Sequence, residues 1–122
     1  MTDTKDLGQL SIQIDACADR LPHLIVEIRR QSNDAMKRGD LDTADSLDEQ
    51  SSELVLLYQT VLRHQIQQID DSDDLRSAIR AFIDVNMEID RIIEANDKAA
   101  KFLSTLASIL AGLKDVSAKV LA

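Results

Sequence analysis

Two histidines, His23 and His64, and one cysteine, Cys17, are the only imidazole and thiol groups in this 122-residue chain. Neither histidine sits in a Glu-x-x-His or His-x-x-x-His spacing, the arrangement by which one helix face offers two ligands to a metal. A lone cysteine excludes an internal disulfide and a multi-thiolate zinc site. Asp40, Asp42 and Asp45 invite a calcium-loop reading, which fails residue by residue. Ala44 takes the fifth position, Asp45 stands where the loop needs glycine, and Ser51 replaces the bidentate glutamate. The run Asp70-Asp71-Ser72-Asp73-Asp74 fails likewise, with no glycine and an apolar Ala81 or Phe82 at its end. Both clusters read as acids at helix starts, where the backbone dipole favours negative charge. Arg38-Gly39-Asp40 reads as an ordinary turn. No strand–turn–helix elbow and no adjacent nucleophile–base pair is present. The chain is expected to be non-enzymatic, with no metal and no cofactor.

The elements that must carry any function are helical. Leu, Ile, Val and Phe make up about 30% of the chain, above the level at which chains tend to stay disordered. Three glycines, one proline, no tryptophan and three aromatic residues argue against sandwiches and barrels. The length fits one domain over residues 1–122.

Leu7, Leu10, Ile14, Cys17, Leu21, Leu24 and Ile28 alternate at three and four residues, the seam by which helices pack along one another. Cys17, at a seam position, reads as a small core residue. Asp3 or Thr4 can cap the start. Pro22 lacks an N–H, so a kink is expected there, with a fresh helix carrying Pro22 in its first turn as the alternative. Lys37-Arg38-Gly39 closes this helix, basic residues facing its negative end and Gly39 able to take the left-handed conformation. A short connector then forces the second helix to run antiparallel. Its face is Ala44, Leu47, Ser51, Val55, Tyr58, Leu62, Ile66 and Ile69, widened by Leu54, Leu57 and Val61. Asp70 to Asp74 closes it and opens the next, with Ser72 or Asp71 as N-cap.

From Ala78 onward, Phe82, Val85, Ile89, Ile92, Asn96, Ala99, Leu103, Leu106, Leu110, Leu113, Ser117 and Val120 hold one heptad register. The spacing predicts an antiparallel all-α bundle or coiled coil of three long helices, the third covering residues 73–121. Asn96-Asp97 could instead cap a fourth helix. A single helix over 73–121 would be roughly 70 Å long, against roughly 45 Å of cover from each of the first two. Its C-terminal turns would then present a bare apolar stripe for a partner or a second copy to cover, unless the helix breaks and folds back as a four-helix bundle. Phe102, Leu103, Leu106, Ile109, Leu110 and Leu113 form that stripe, at the spacing of helix-in-groove recognition. Asn96, on the same seam, can set register.

Charge narrows the partners. The net charge is −8, and residues 1–75 carry seven bases against 16 acids, so phosphate backbones are repelled. With only Tyr58, Phe82 and Phe102 as aromatics, no stacking platform for single strands exists. The uncharged apolar run over residues 102–113 falls short of the roughly 20 residues that cross a bilayer. Residues 98–121 combine lysines with an apolar face, as membrane-surface helices do, but the acidity elsewhere opposes anionic lipid. Met1-Thr2-Asp3-Thr4-Lys5-Asp6 lacks the profile of a secretory signal, so a cytoplasmic location is expected.

The order of features over residues 27–57 resembles the flagellar type III export chaperones that hold hook–filament junction or filament-cap subunits before secretion. Ala35-Met36-Lys37-Arg38-Gly39-Asp40-Leu41-Asp42 carries the resemblance, with Leu47, Glu49, Glu53 and Leu54 after it. It continues through Leu75, Ile79, Asn86, Ile89 and Ile93, about half the chain in all. Where that family often has a second asparagine, Asp90 and Glu94 follow Asn86. The resemblance implies a small acidic helical chaperone whose C-terminal helix binds its substrate. The function expected is therefore a non-enzymatic chaperone or adaptor that binds a partner helix through its last helix. A structural homo-oligomer and a peripheral membrane binder are the alternatives.

Overall fold

The computed structural model describes residues 4–95 and 98–122, which form four α-helices: α1 (Thr4–Lys37), α2 (Leu41–Arg63), α3 (Ser72–Ala95) and α4 (Ala99–Val120). The chain is an all-α helical bundle. Its core is one continuous cluster drawn from all four helices. Leu10, Ile14, Cys17, Leu21, Leu24 and Ile28 are fully buried along α1, so the three-four seam is its core face. α1 passes through Pro22 without a break. The packed residues on either side hold the helix across the missing N–H. Of the two candidate caps, Asp3 lies outside the described residues, and Thr4 is the first residue of α1.

The α1–α2 turn follows from its local chemistry. Gly39 takes φ +78. Its N–H donates to the Met36 carbonyl at 3.0 Å, and the Asp40 N–H donates to the Ala35 carbonyl at 2.9 Å. This is the double hydrogen bond of a Schellman stop, which needs a left-handed residue. Asp40 then caps α2, its carboxylate accepting from the Thr43 N–H at 3.3 Å and the Thr43 hydroxyl at 2.7 Å. At the head of α3, Asp71 is the capping side chain, accepting from the Asp73 N–H at 2.8 Å.

α1 packs against α2 and α3, and α4 packs against α3 and α2, which leaves α1 and α4 on one diagonal. The bundle is therefore two antiparallel hairpins face to face. α1 and α3 run parallel and are joined at three levels. Arg76 lies 3.7 Å from Asp6, Asn86 bonds to Gln13, and Arg20 donates to Asp90 at 3.0 Å.

Two expectations need correction. The single helix over residues 73–121 is not formed: α3 ends at Ala95 and α4 begins at Ala99. Folding back buries the apolar side chains of α4 in the chain's own core. That gain, about 1.5–3 kcal/mol for each large side chain, offsets the helical hydrogen bonds given up. Asn96 and Asp97 lie outside the described residues. The second helix is also shorter than its apolar spacing implies. It stops at Arg63 because His64 turns left-handed at φ 53. Ile66 and Ile69 belong to the connection that follows, where they still pack against the core.

Candidate functional site

α4 lies in the apolar groove between α2 and α3. Phe102, Leu106, Ile109, Leu110 and Leu113 are all buried there, with Leu106 and Leu113 at 0% exposure, and Leu103 is half-buried. The bare stripe inferred for these six side chains is absent. The reversal that makes α4 a separate helix also covers them. Gly112 of α4 faces α3, where a Cβ would meet Val85 Cγ2 at 3.4 Å, about ordinary van der Waals contact. Lys114 pairs with Glu53 of α2 at the rim, where both side chains are about half exposed, so the pair adds little. At the end of α4, Ile66 and Leu121 form an antiparallel bridge. The Gln67 N–H donates to the Val120 carbonyl at 2.8 Å and the Ala122 N–H to the Gln65 carbonyl at 2.7 Å.

The attachment of α4 has weak points. Lys98 at its N-cap makes no side-chain capping bond, and no acid occupies its first turn. Ser117 is buried, and its hydroxyl has no hydrogen-bond partner among the described residues. A buried hydroxyl left unpaired costs about 1–3 kcal/mol. α2 is capped by Asp40 and joined to α1 by Ser32, whose hydroxyl donates to Asp48 at 2.8 Å, while its buried Gln50 Oε1 likewise has no hydrogen-bond partner among the described residues.

A second constellation has no counterpart in the sequence reading. Ser11 Oγ lies 2.8 Å from His64 Nε2, and His64 Nδ1 lies 2.8 Å from Asp15 Oδ1. Ser11 and Asp15, four apart on α1, share one helix face. His64 reaches them from the left-handed C-cap of α2. An ionised carboxylate only accepts, so in the neutral imidazole Nδ1 carries the proton and Nε2 accepts from the serine hydroxyl. A cleft of about 660 Å³ opens beside Ser11, lined by Leu7, Gly8, Ile66 and residues 67–70. Sequence reasoning sought neighbouring nucleophile and base, whereas 53 residues separate Ser11 from His64.

His23 is exposed, and Cys17 is fully buried, its thiol pushed up to about 12 by burial despite the opposing pull of Arg20. No group of three or more potential metal-binding side chains occurs among the described residues. No helix among them is long and apolar enough to cross a membrane. Neither protein-family models, nor curated proteins, nor solved structures give a match to this chain.

Proposed function

We propose that this chain is a small cytoplasmic protein-binding module, a chaperone or adaptor, that receives a partner helix in the groove between α2 and α3. The observation that carries this reading is the seat of α4, whose stripe of Phe102, Leu106, Ile109, Leu110 and Leu113 fills that groove. Such packing is the helix-in-groove mode of recognition, met here within one chain. An occupant with the same stripe replaces α4 when α4 detaches, and the freed stripe in turn suits a matching groove. The weak N-terminal cap and the unpaired Ser117 hydroxyl lower the cost of detachment. The partner is a helical segment of another protein or α4 of a second copy, since one groove accepts either. Nucleic acid and membrane are not the partners, in keeping with the net charge of −8. The resemblance to flagellar export chaperones points the same way, because it implies substrate binding through the C-terminal helix. The work done at this groove is binding and not catalysis.

A fluorescent peptide spanning residues 98–122, titrated with the full chain, tests the reading. Saturable binding is expected, lost when the peptide carries Leu106→Asp and Leu110→Asp. Val85→Cys with Gly112→Cys, adjacent across α3 and α4, locks α4 in place when oxidised. The lock is expected to abolish uptake, and reduction to restore it. Absence of binding to the unlocked, folded chain contradicts the proposal.

A further inference from the structure

We propose that Ser11 is an activated nucleophile, and that with His64 and Asp15 it takes acyl groups from small, uncharged, activated esters. Three observations converge. The two 2.8 Å contacts place hydroxyl, imidazole and carboxylate in the order that nucleophilic catalysis by serine requires. His64 occupies the left-handed region, at φ 53 and ψ 41, which a side-chain-bearing residue rarely adopts. From that C-cap position its ring reaches both partners. The cleft beside Ser11 offers apolar walls at Leu7, Ile66 and Ile69, suited to a short aliphatic acyl chain. Asp70 in its lining disfavours an anionic substrate.

The chemistry balances without a cofactor. Ser11 Oγ bonds to the ester carbonyl carbon while its proton passes to His64 Nε2. The carbon–oxygen bond to the leaving alcohol then breaks, and the alcohol departs with that proton. Water reverses the sequence through the same imidazole, releasing the carboxylic acid and regenerating Ser11. Asp15 is a positioning residue: it holds the Nδ1–H and with it the reactive tautomer. Ile66 and Gln68 line the cleft, and their backbone N–H groups make no backbone hydrogen bond among the described residues, so the oxyanion is assigned to them. Asp15 is 70% exposed, so its charge is well solvated and a slow reaction is expected.

The test uses the full chain and p-nitrophenyl butyrate, followed by p-nitrophenol release and by mass spectrometry of the trapped protein. One butyryl group is expected on Ser11, a location that needs no variant. Ser11→Ala is expected to lower the rate at least about tenfold. Asp15→Asn, which favours the wrong tautomer, is expected to lower it similarly while leaving circular dichroism unchanged. If the contacts merely fasten α2 to α1, Asp15→Asn alters thermal stability and leaves release unchanged. That result overturns the proposal, as do release no faster than in buffer and a butyryl group found only on His64 or lysine.

Discussion

Asn86 of α3 donates through Nδ2 to both the backbone carbonyl and the side-chain carbonyl of Gln13 in α1, at 3.1 and 3.2 Å. Asn86 is only 4% exposed, and one level along, Arg20 meets Asp90. A buried amide wants a polar partner opposite, so it favours one sliding position of two parallel helices over its neighbours. Asn96, the residue that seam spacing singled out for this role, lies outside the described residues. Asn86→Ala is expected to destabilise the chain by about 1–3 kcal/mol in urea denaturation, through the lost hydrogen bonds and the gap left behind.

Leu106 is fully enclosed by the chain's own helices. Leu106→Ala is expected to cost about 2–5 kcal/mol, the range for a large buried side chain truncated in a packed core. Leu106→Asp with Leu110→Asp in the full chain is expected to unfold it, because two carboxylates would enter an apolar groove. Helicity by circular dichroism, read against urea, checks both.

Burial lifts the Cys17 thiol from 9.0 to about 12, with Arg20 pulling weakly the other way. The folded state therefore keeps its proton where the unfolded state has lost it. The contribution to stability is intact below pH 9 and is lost as pH climbs towards 12. The slope is at most about 1.4 kcal/mol per pH unit. Cys17→Ala is expected to flatten that part of the profile relative to the unmodified chain. A thiol reagent at neutral pH is expected to leave Cys17 unmodified until denaturant is added.

At the α1–α2 turn, Gly39→Ala is expected to cost about 1–2 kcal/mol, since φ +78 crowds a Cβ. Thr43, first through its hydroxyl and then through its N–H, holds the Asp40 carboxyl below its ordinary range. The charged cap thus adds stability above the ordinary carboxylate range, and loses it as pH falls through the lowered value. Asp40→Asn is expected to keep the cap but lose this acid dependence, and Asp40→Ala to lose both, as thermal melts at two pH values would show.

What was legible in the sequence was local. Gly39, Asp40 and the acids before α3 act on their own neighbourhood, and the seam from Leu10 to Ile28 repeats a periodicity that packing merely uses. The reversal between α3 and α4 was half legible: Asn96-Asp97 offered a cap for a fourth helix, but Ile92, Leu106 and Leu113 keep one register across the break, so no change of phase decided for it. The apolar stripe of α4 is buried in the chain's own core, the outcome that a break and fold-back entail. The stop at His64 was hidden for a different reason. Its left-handed turn accompanies hydrogen bonds to Ser11 and Asp15, 53 and 49 residues away, which no local pattern announces.

Native-state hydrogen exchange on the full chain tests most directly whether α4 is a detachable occupant of its groove. The amides of Leu106, Ile109, Leu110 and Leu113 are expected to exchange together through one shared opening. That exchange is expected to be at least about tenfold faster than at Leu21, Leu24 and Ile28 of α1. Equal protection in the two helices, lost only when the whole bundle unfolds, would mean that α4 is a permanent part of the core and that the groove has no vacancy to offer.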